Sequence, residues 1–258
     1  MSLVVRRWLY ARLSSITRAQ LVKWVMSIVV RILDLLDYQV SSTYTVPSTW
    51  MNLNPNCMIG YGGGMAKYTT APANHFYSLP DKISLEAAAL IEPLAVSWHA
   101  VNESPFKPND NVLIIGGGPI SVGTVQVLKL QGAKKKIIVS EMMECCKEFS
   151  MHHGATHVLD PRIDDIPKQV HEITGGTGVD VAFDTAGVEN AVNAAIDSCH
   201  AHGSIVNIAV WNRPPAIHVN SLMYQEMRYM GVTLYDEQSF MDVIRALQYG
   251  ESVPSLVC

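Results

Sequence analysis

The chain has 258 residues, 48% of them apolar and 16% charged, with a formal net charge of −4. That apolar share can bury a core and excludes wholesale disorder. The slight acidity gives no global basic field, so nucleic acid is not an expected partner. Five cysteines, none in a Cys-x-x-Cys pair, exclude a zinc knuckle and predict neither a disulfide framework nor an oxidising compartment.

The most apolar stretch, Leu21 to Leu36, is interrupted by Lys23, Arg31 and Asp34. It is shorter than the ~20 residues a membrane span needs, so no membrane is expected. Six basic residues (Arg6, Arg7, Arg12, Arg18, Lys23 and Arg31) precede the first acid, Asp34. That composition suits a mitochondrial presequence, but an extension with no address in a cytoplasmic protein is the favoured expectation. Trp24, Ile28 and Ile32 sit at helical spacing, a stripe suited to a neighbouring subunit, so a homo-oligomer is expected.

Turn formers dominate residues 41–64. The spacing predicts a helix over 84–101, with Ser84 as N-cap and a kink or helix junction at Pro93. From residue 111 strands and helices alternate. Strands are expected at Val112–Ile115, Lys136–Ser140, Thr156–Leu159, Val179–Phe183, Ser204–Ala209 and Gly231–Tyr235. Helices are expected over 119–132, 144–152, 164–173, 189–198 and 239–248. This is α/β patterning: a doubly wound parallel sheet covered on both faces.

The first strand-to-helix turn carries the clearest chemistry. Gly116-x-Gly118 follows an apolar strand and opens a helix, and Pro119 and Ile120 continue it. The first glycine permits a tight turn, and the second lets the backbone approach a pyrophosphate at the helix N-terminus. Ser121 stands where the dinucleotide fingerprint has its third glycine, and Gly123 follows. Glu141 ends the second strand, 20 residues after Ser121. A carboxylate there accepts from the ribose hydroxyls and repels a 2′-phosphate, which predicts NAD rather than NADP. His99, His152, His153, His157, His200 and His202 are expected in packing or solvated roles. Trp211 is expected near the nicotinamide or over the sheet edge. Asp184 is expected to satisfy nearby backbone N–H groups.

Three early segments are distinctive: Gly60-Tyr61-Gly62-Gly63-Gly64-Met65-Ala66-Lys67-Tyr68, Leu79-Pro80-Asp81, and Ala88-Ala89-Leu90-Ile91-Glu92-Pro93-Leu94-Ala95-Val96. Asp184-Thr185-Ala186-Gly187 and Val206-Asn207-Ile208-Ala209 follow in order. Over roughly residues 58–250 the chain resembles the zinc-dependent medium-chain dehydrogenase/reductase family, most of all its butanediol and sorbitol dehydrogenase branch. The resemblance implies a Rossmann domain, NAD, zinc, and hydride transfer with a secondary alcohol or vicinal diol as small-molecule substrate. It places Thr185, Ala186, Gly187, Ile208 and Ala209 beside the nicotinamide and makes Glu92 a zinc ligand. No Gly-His-Glu is present, and neither Cys57 nor His75 matches a family ligand position.

The expected organisation is a non-family extension over 1–57 and a fragment of a mostly-β catalytic domain over 58–104. An NAD-binding domain follows over 105–250, and a truncated tail over 251–258. With the catalytic domain reduced in this way, Ile91, Leu94 and Val96 are expected to be exposed. The rival expectation is an inactive NAD-binding or oligomerising module.

Overall fold

The computed structural model describes residues 77–249. Expectations about the basic N-terminal segment, the Gly60–Tyr68 motif, Cys57 and His75 lie outside the described residues. The chain divides into two units between Glu92 and Pro93.

Among the described residues the first unit contributes one turn of helix, α1 (Leu85–Ala88), capped by Ser84, whose hydroxyl accepts from the Ala87 N–H at 3.1 Å. Helix α2 begins at Ile91 and runs to Glu103. Of the two outcomes expected near Pro93, a kink or a helix junction, the junction is found, two residues ahead of the proline. Pro93 sits in the first turn of α2, where its missing N–H is not needed. Ile91 and Leu94 are buried and Val96 is half-buried, not exposed as expected.

The second unit continues with β1 (Val112–Ile115), α3 (Pro119–Leu130), β2 (Ile137–Ser140), α4 (Glu144–His152) and β3 (His157–Leu159). Then come α5 (Ile166–Ile173), β4 (Val179–Asp184), α6 (Glu189–Ser198) and β5 (Cys199–Asn207). Helix α7 (Val219–Tyr224), β6 (Arg228–Gly231) and α8 (Glu237–Gln248) complete it. All six strands are parallel, in the order β3-β2-β1-β4-β5-β6.

Alternation along the strands explains the two apolar layers. Val112 and Ile114 of β1 face one layer with Val125 and Leu128 of α3 and Ala100 and Val101 of α2. Leu113 and Ile115 face the other with Val170 of α5 and Val192 and Ile196 of α6. A sheet covered on both faces reads as an unbroken apolar run, as β1 does.

Three expectations shift. The fifth strand starts at Cys199, and its register with β4 jumps between Val179 and Val181, absorbing His200 to Gly203. Ile208 and Ala209 fall just beyond it. The sixth strand is Arg228–Gly231, ahead of the expected Gly231–Tyr235.

Candidate dinucleotide site

The strand order reverses between β1 and β4. The chain starts at the centre, winds outward through β2 and β3, and returns to β4 on the other side. In open parallel sheets the loops diverge at such a switch point, and ligands bind beyond the carboxyl ends of its strands. Ile115 is level with both Ser140 and Asp184, and Asp184 is level with Asn207. Gly116 to Ile120, Glu141, Thr185 to Gly187, and Ile208 with Ala209 thus leave one edge of the sheet together.

The turn after β1 needs its glycines for different reasons. Gly116 has φ +99°, a conformation L side chains avoid. A Cβ there would also stand 2.9 Å from Thr185 Oγ1, which donates to the Ile115 carbonyl at 2.7 Å. Gly117, unremarked in the fingerprint reading, is constrained by space: a Cβ would lie 2.6 Å from Glu141 Cγ. A Cβ on Gly118, the N-cap of α3, would meet nothing within 4 Å. That open volume lies over a helix N-terminus whose first N–H groups have no side-chain cap.

Ser121 occupies the third fingerprint position without strain. It is fully buried and its hydroxyl donates to the Gly116 carbonyl. The close helix approach falls to Gly123, where a Cβ would meet Ser97 Oγ at 2.7 Å.

Glu141 is half-buried. Its Oε1 accepts from the N–H groups of Met142 and Met143, both at 2.7 Å. Beside it, Arg162 reaches Asp160 through Nε at 2.9 Å and Nη2 at 2.6 Å, and the Met142 carbonyl at 2.7 Å. The Arg162 hydrogen bonds, reinforced by Lys147 at 3.1 Å, hold the Asp160 carboxyl well below the usual carboxylate range.

Asp184 closes β4, fully buried. Its Oδ1 accepts from the Ala186 and Gly187 N–H groups at 3.0 Å, as expected of it. Its carbonyl accepts from Ile208 and Ala209 at 2.9 and 3.0 Å. One residue thereby anchors both loops. Its Oδ2 is buried without a hydrogen-bond partner, and burial pushes the carboxyl pKa up. Trp211 donates to Asn207 Oδ1 at 2.9 Å and packs on the layer formed with α5 and α6.

His153 caps the end of α4, and its Nδ1 lies 2.7 Å from the Phe149 carbonyl. His157 lies beside Thr156, and His200 pairs with Asp180 at 2.9 Å. His99 lies near Ser239 and Asp236.

Glu92 is 7% exposed, and burial raises its pKa to about 7. Among the described residues no three His, Cys, Asp or Glu side chains come together as a metal-binding group. The described residues therefore do not fit a zinc site, while the cleared glycine turn and the carboxylate across it do fit a dinucleotide. No helix among them is long and apolar enough to cross a membrane.

The Zinc-binding dehydrogenase family matches residues 119–249. The chain belongs to that family, and the parallel sheet is its Rossmann-type fold. A (R,R)-butanediol dehydrogenase from Neisseria gonorrhoeae is 33% identical over 177 residues, covering 68% of this chain and 49% of that protein. The crystal structure of 2R,3R-butanediol dehydrogenase from Bacillus subtilis superposes with a TM-score of 0.64 at 32% identity. It covers 69% of this chain and 50% of the other. A Sinorhizobium meliloti structure, described as a zinc-binding dehydrogenase bound to NADP, gives a TM-score of 0.70 at 26% identity, over 80% of this chain and 63% of its own. The chain spans about half the length of the curated relatives it matches.

Proposed function

We propose that residues 105–250 form the NAD-binding domain of a cytoplasmic alcohol or polyol dehydrogenase, with 58–104 belonging to its catalytic domain. The reaction is hydride transfer between NAD(H) and a secondary alcohol or vicinal diol such as butane-2,3-diol. Glu141 lying across Gly117 carries this reading. It sets a carboxylate at the end of β2, beside the turn that would take the pyrophosphate. Gly116, Gly118, Pro119 and Ile120 would hold the phosphates at the start of α3. Thr185, Ala186, Gly187, Ile208 and Ala209 would border the nicotinamide, fixed by Asp184.

Thr185, Ala186, Gly187, Ile208 and Ala209 would hold a nicotinamide that would supply the hydride acceptor for oxidation of an alcohol to a ketone. The chain's own contribution is to bind and orient the cofactor. Zinc is implied by the family, and among the described residues Glu92 has no second and third ligand beside it. A homo-oligomer belongs to the same proposal. Its support is β6, an edge strand whose outer side pairs with nothing among the described residues.

Calorimetric titration with NAD and NADP tests the cofactor assignment. NAD should bind more tightly, because a 2′-phosphate would meet the Glu141 carboxylate at short range. Equal or tighter NADP binding, the cofactor of the Sinorhizobium structure, overturns it. The sequence, which has no Gly-His-Glu and neither Cys57 nor His75 at a family ligand position, favours a second reading, a nucleotide-binding or oligomerising module without turnover. NADH formation from butane-2,3-diol and sorbitol, with and without added zinc, separates the two.

A further inference from the structure

Cys145 and Cys146 occupy the first turn of α4, and neither is in a disulfide. Their sulfurs lie 3.9 Å apart although the side chains leave adjacent residues. Cys145 is exposed and Cys146 half-buried. The thioether residues just before them are also open, Met142 being 50% and Met143 59% exposed. Four soft sulfur donors thus fall within five residues, on a surface with access to solvent.

The 3.9 Å separation discriminates between the reactions open to two thiols. Adjacent α-carbons are about 3.8 Å apart, shorter than the ~4.4–6.8 Å a disulfide usually spans. Joining the two sulfurs directly would also bring them to ~2.05 Å and distort the helix. A single atom holding both at about 2.3 Å and a near-tetrahedral angle spans about 3.8 Å. The pair is therefore set for one bridging atom with α4 intact.

We propose that Cys145 and Cys146 form a dithiol chelation site for thiophilic centres of low coordination number, with trivalent organoarsenicals as the representative class. Such a centre needs only two protein sulfurs, its third position being filled by carbon. The step balances without an oxidant. Two S–H bonds break and two S–As bonds form. The arsenic–oxygen bond of the arsenoxide breaks, and its oxygen leaves with both thiol protons as water. Arsenic stays trivalent. Pyramidal arsenic draws the sulfurs a few tenths of an ångström closer, within reach of small χ1 adjustments. The site stands independently of the dinucleotide assignment.

The test uses the full chain with Cys57, Cys199 and Cys258 changed to serine, so that only the pair remains. Phenylarsine oxide is added at one equivalent, and excess 2-mercaptoethanol then competes. Intact mass reads retention, and far-UV circular dichroism reads the fold. The expected result is one phenylarsenic per chain, with release accelerated about 100-fold or more in both Cys145→Ser and Cys146→Ser, since each loses the intramolecular second thiol. Cys145 is exposed, so its serine variant keeps the test sound even if Cys146→Ser unfolds. Release from the folded pair as fast as from the Cys145→Ser variant would overturn the proposal.

Discussion

Glu141 lies across the face of Gly117, so close that a Cβ on the glycine would stand 2.6 Å from Glu141 Cγ and 2.8 Å from its Oε2. The carboxylate is held by the Met142 and Met143 N–H groups, so it cannot swing aside without losing both. Gly117→Ala should therefore push Glu141 out of place. We expect NAD affinity to fall about tenfold, equivalent to about 1.4 kcal/mol. The thermal midpoint should drop modestly, in line with the ~1–3 kcal/mol that overpacking costs. Calorimetry against NAD checks it, and unchanged affinity would show that Glu141 does not set the ribose pocket.

On the fingerprint alone Ser121→Gly should preserve or improve NAD affinity, since glycine is the usual residue there. The structure adds a cost in stability. The hydroxyl donates to the buried turn carbonyl of Gly116, and Gly123 already supplies the close approach. Removing the hydroxyl and adding a helical glycine should cost about 1–2 kcal/mol of stability. Urea unfolding measures it, and a stabilised variant would contradict the assignment.

The Asp184 side chain holds the loop after β4, so Asp184→Ala should destabilise the fold by about 2–4 kcal/mol, leaving the Ala186 and Gly187 N–H groups without their acceptor. Asp184→Asn keeps an acceptor and should cost less. Because burial raises this carboxyl's pKa, the folded state holds its proton more tightly than the unfolded chain. Its contribution to stability is therefore largest below the unfolded value, about 3.9, and declines as pH rises through the folded one. The Asn variant should lose that part of the slope in urea unfolding across pH 3–7.

Glu92 gives a second slope of the same sign at higher pH. Its pKa rises from 4.5 to about 7 on burial. In metal-free buffer, stability should fall between those values by about 3 kcal/mol, at 1.36 kcal/mol per unit. Glu92→Gln should flatten the slope and be the more stable protein at pH 8. A wild-type slope left intact in Glu92→Gln would count against it.

Much of the fold is written in the sequence because the sheet is buried on both faces. Val112–Ile115, Glu144–His152 and Glu189–Ser198 were legible to the residue, from an apolar run in the first case and helix-length segments between turn formers in the others. The elements that escaped have weak patterns for physical reasons. Helix α7 buries none of its residues, and β6 is an edge strand with three exposed positions, so neither carries a core periodicity. Within the site, Gly116, Gly118 and Glu141 were readable from spacing. Gly117 and Gly123 were not, because their need for a missing side chain comes from Glu141 and Ser97, which the chain brings close only when folded. The double anchoring by Asp184 depends on β4–β5 register and has no local signature.

The strand order also dictates when the candidate site can exist during synthesis. Its two walls come from β1 and β4, whose paired residues Val112 and Val181 are far apart in the chain. Strands β1, β2 and β3, being neighbours in both sequence and space, can associate while the chain is still short. A nascent polypeptide ending before Asp184 would carry the glycine turn and Glu141 yet lack the opposite wall. On the proposed assignment, cofactor capture awaits emergence of the second half of the sheet from the ribosome, and until then the β4-facing edge of β1 is an open template for mispairing.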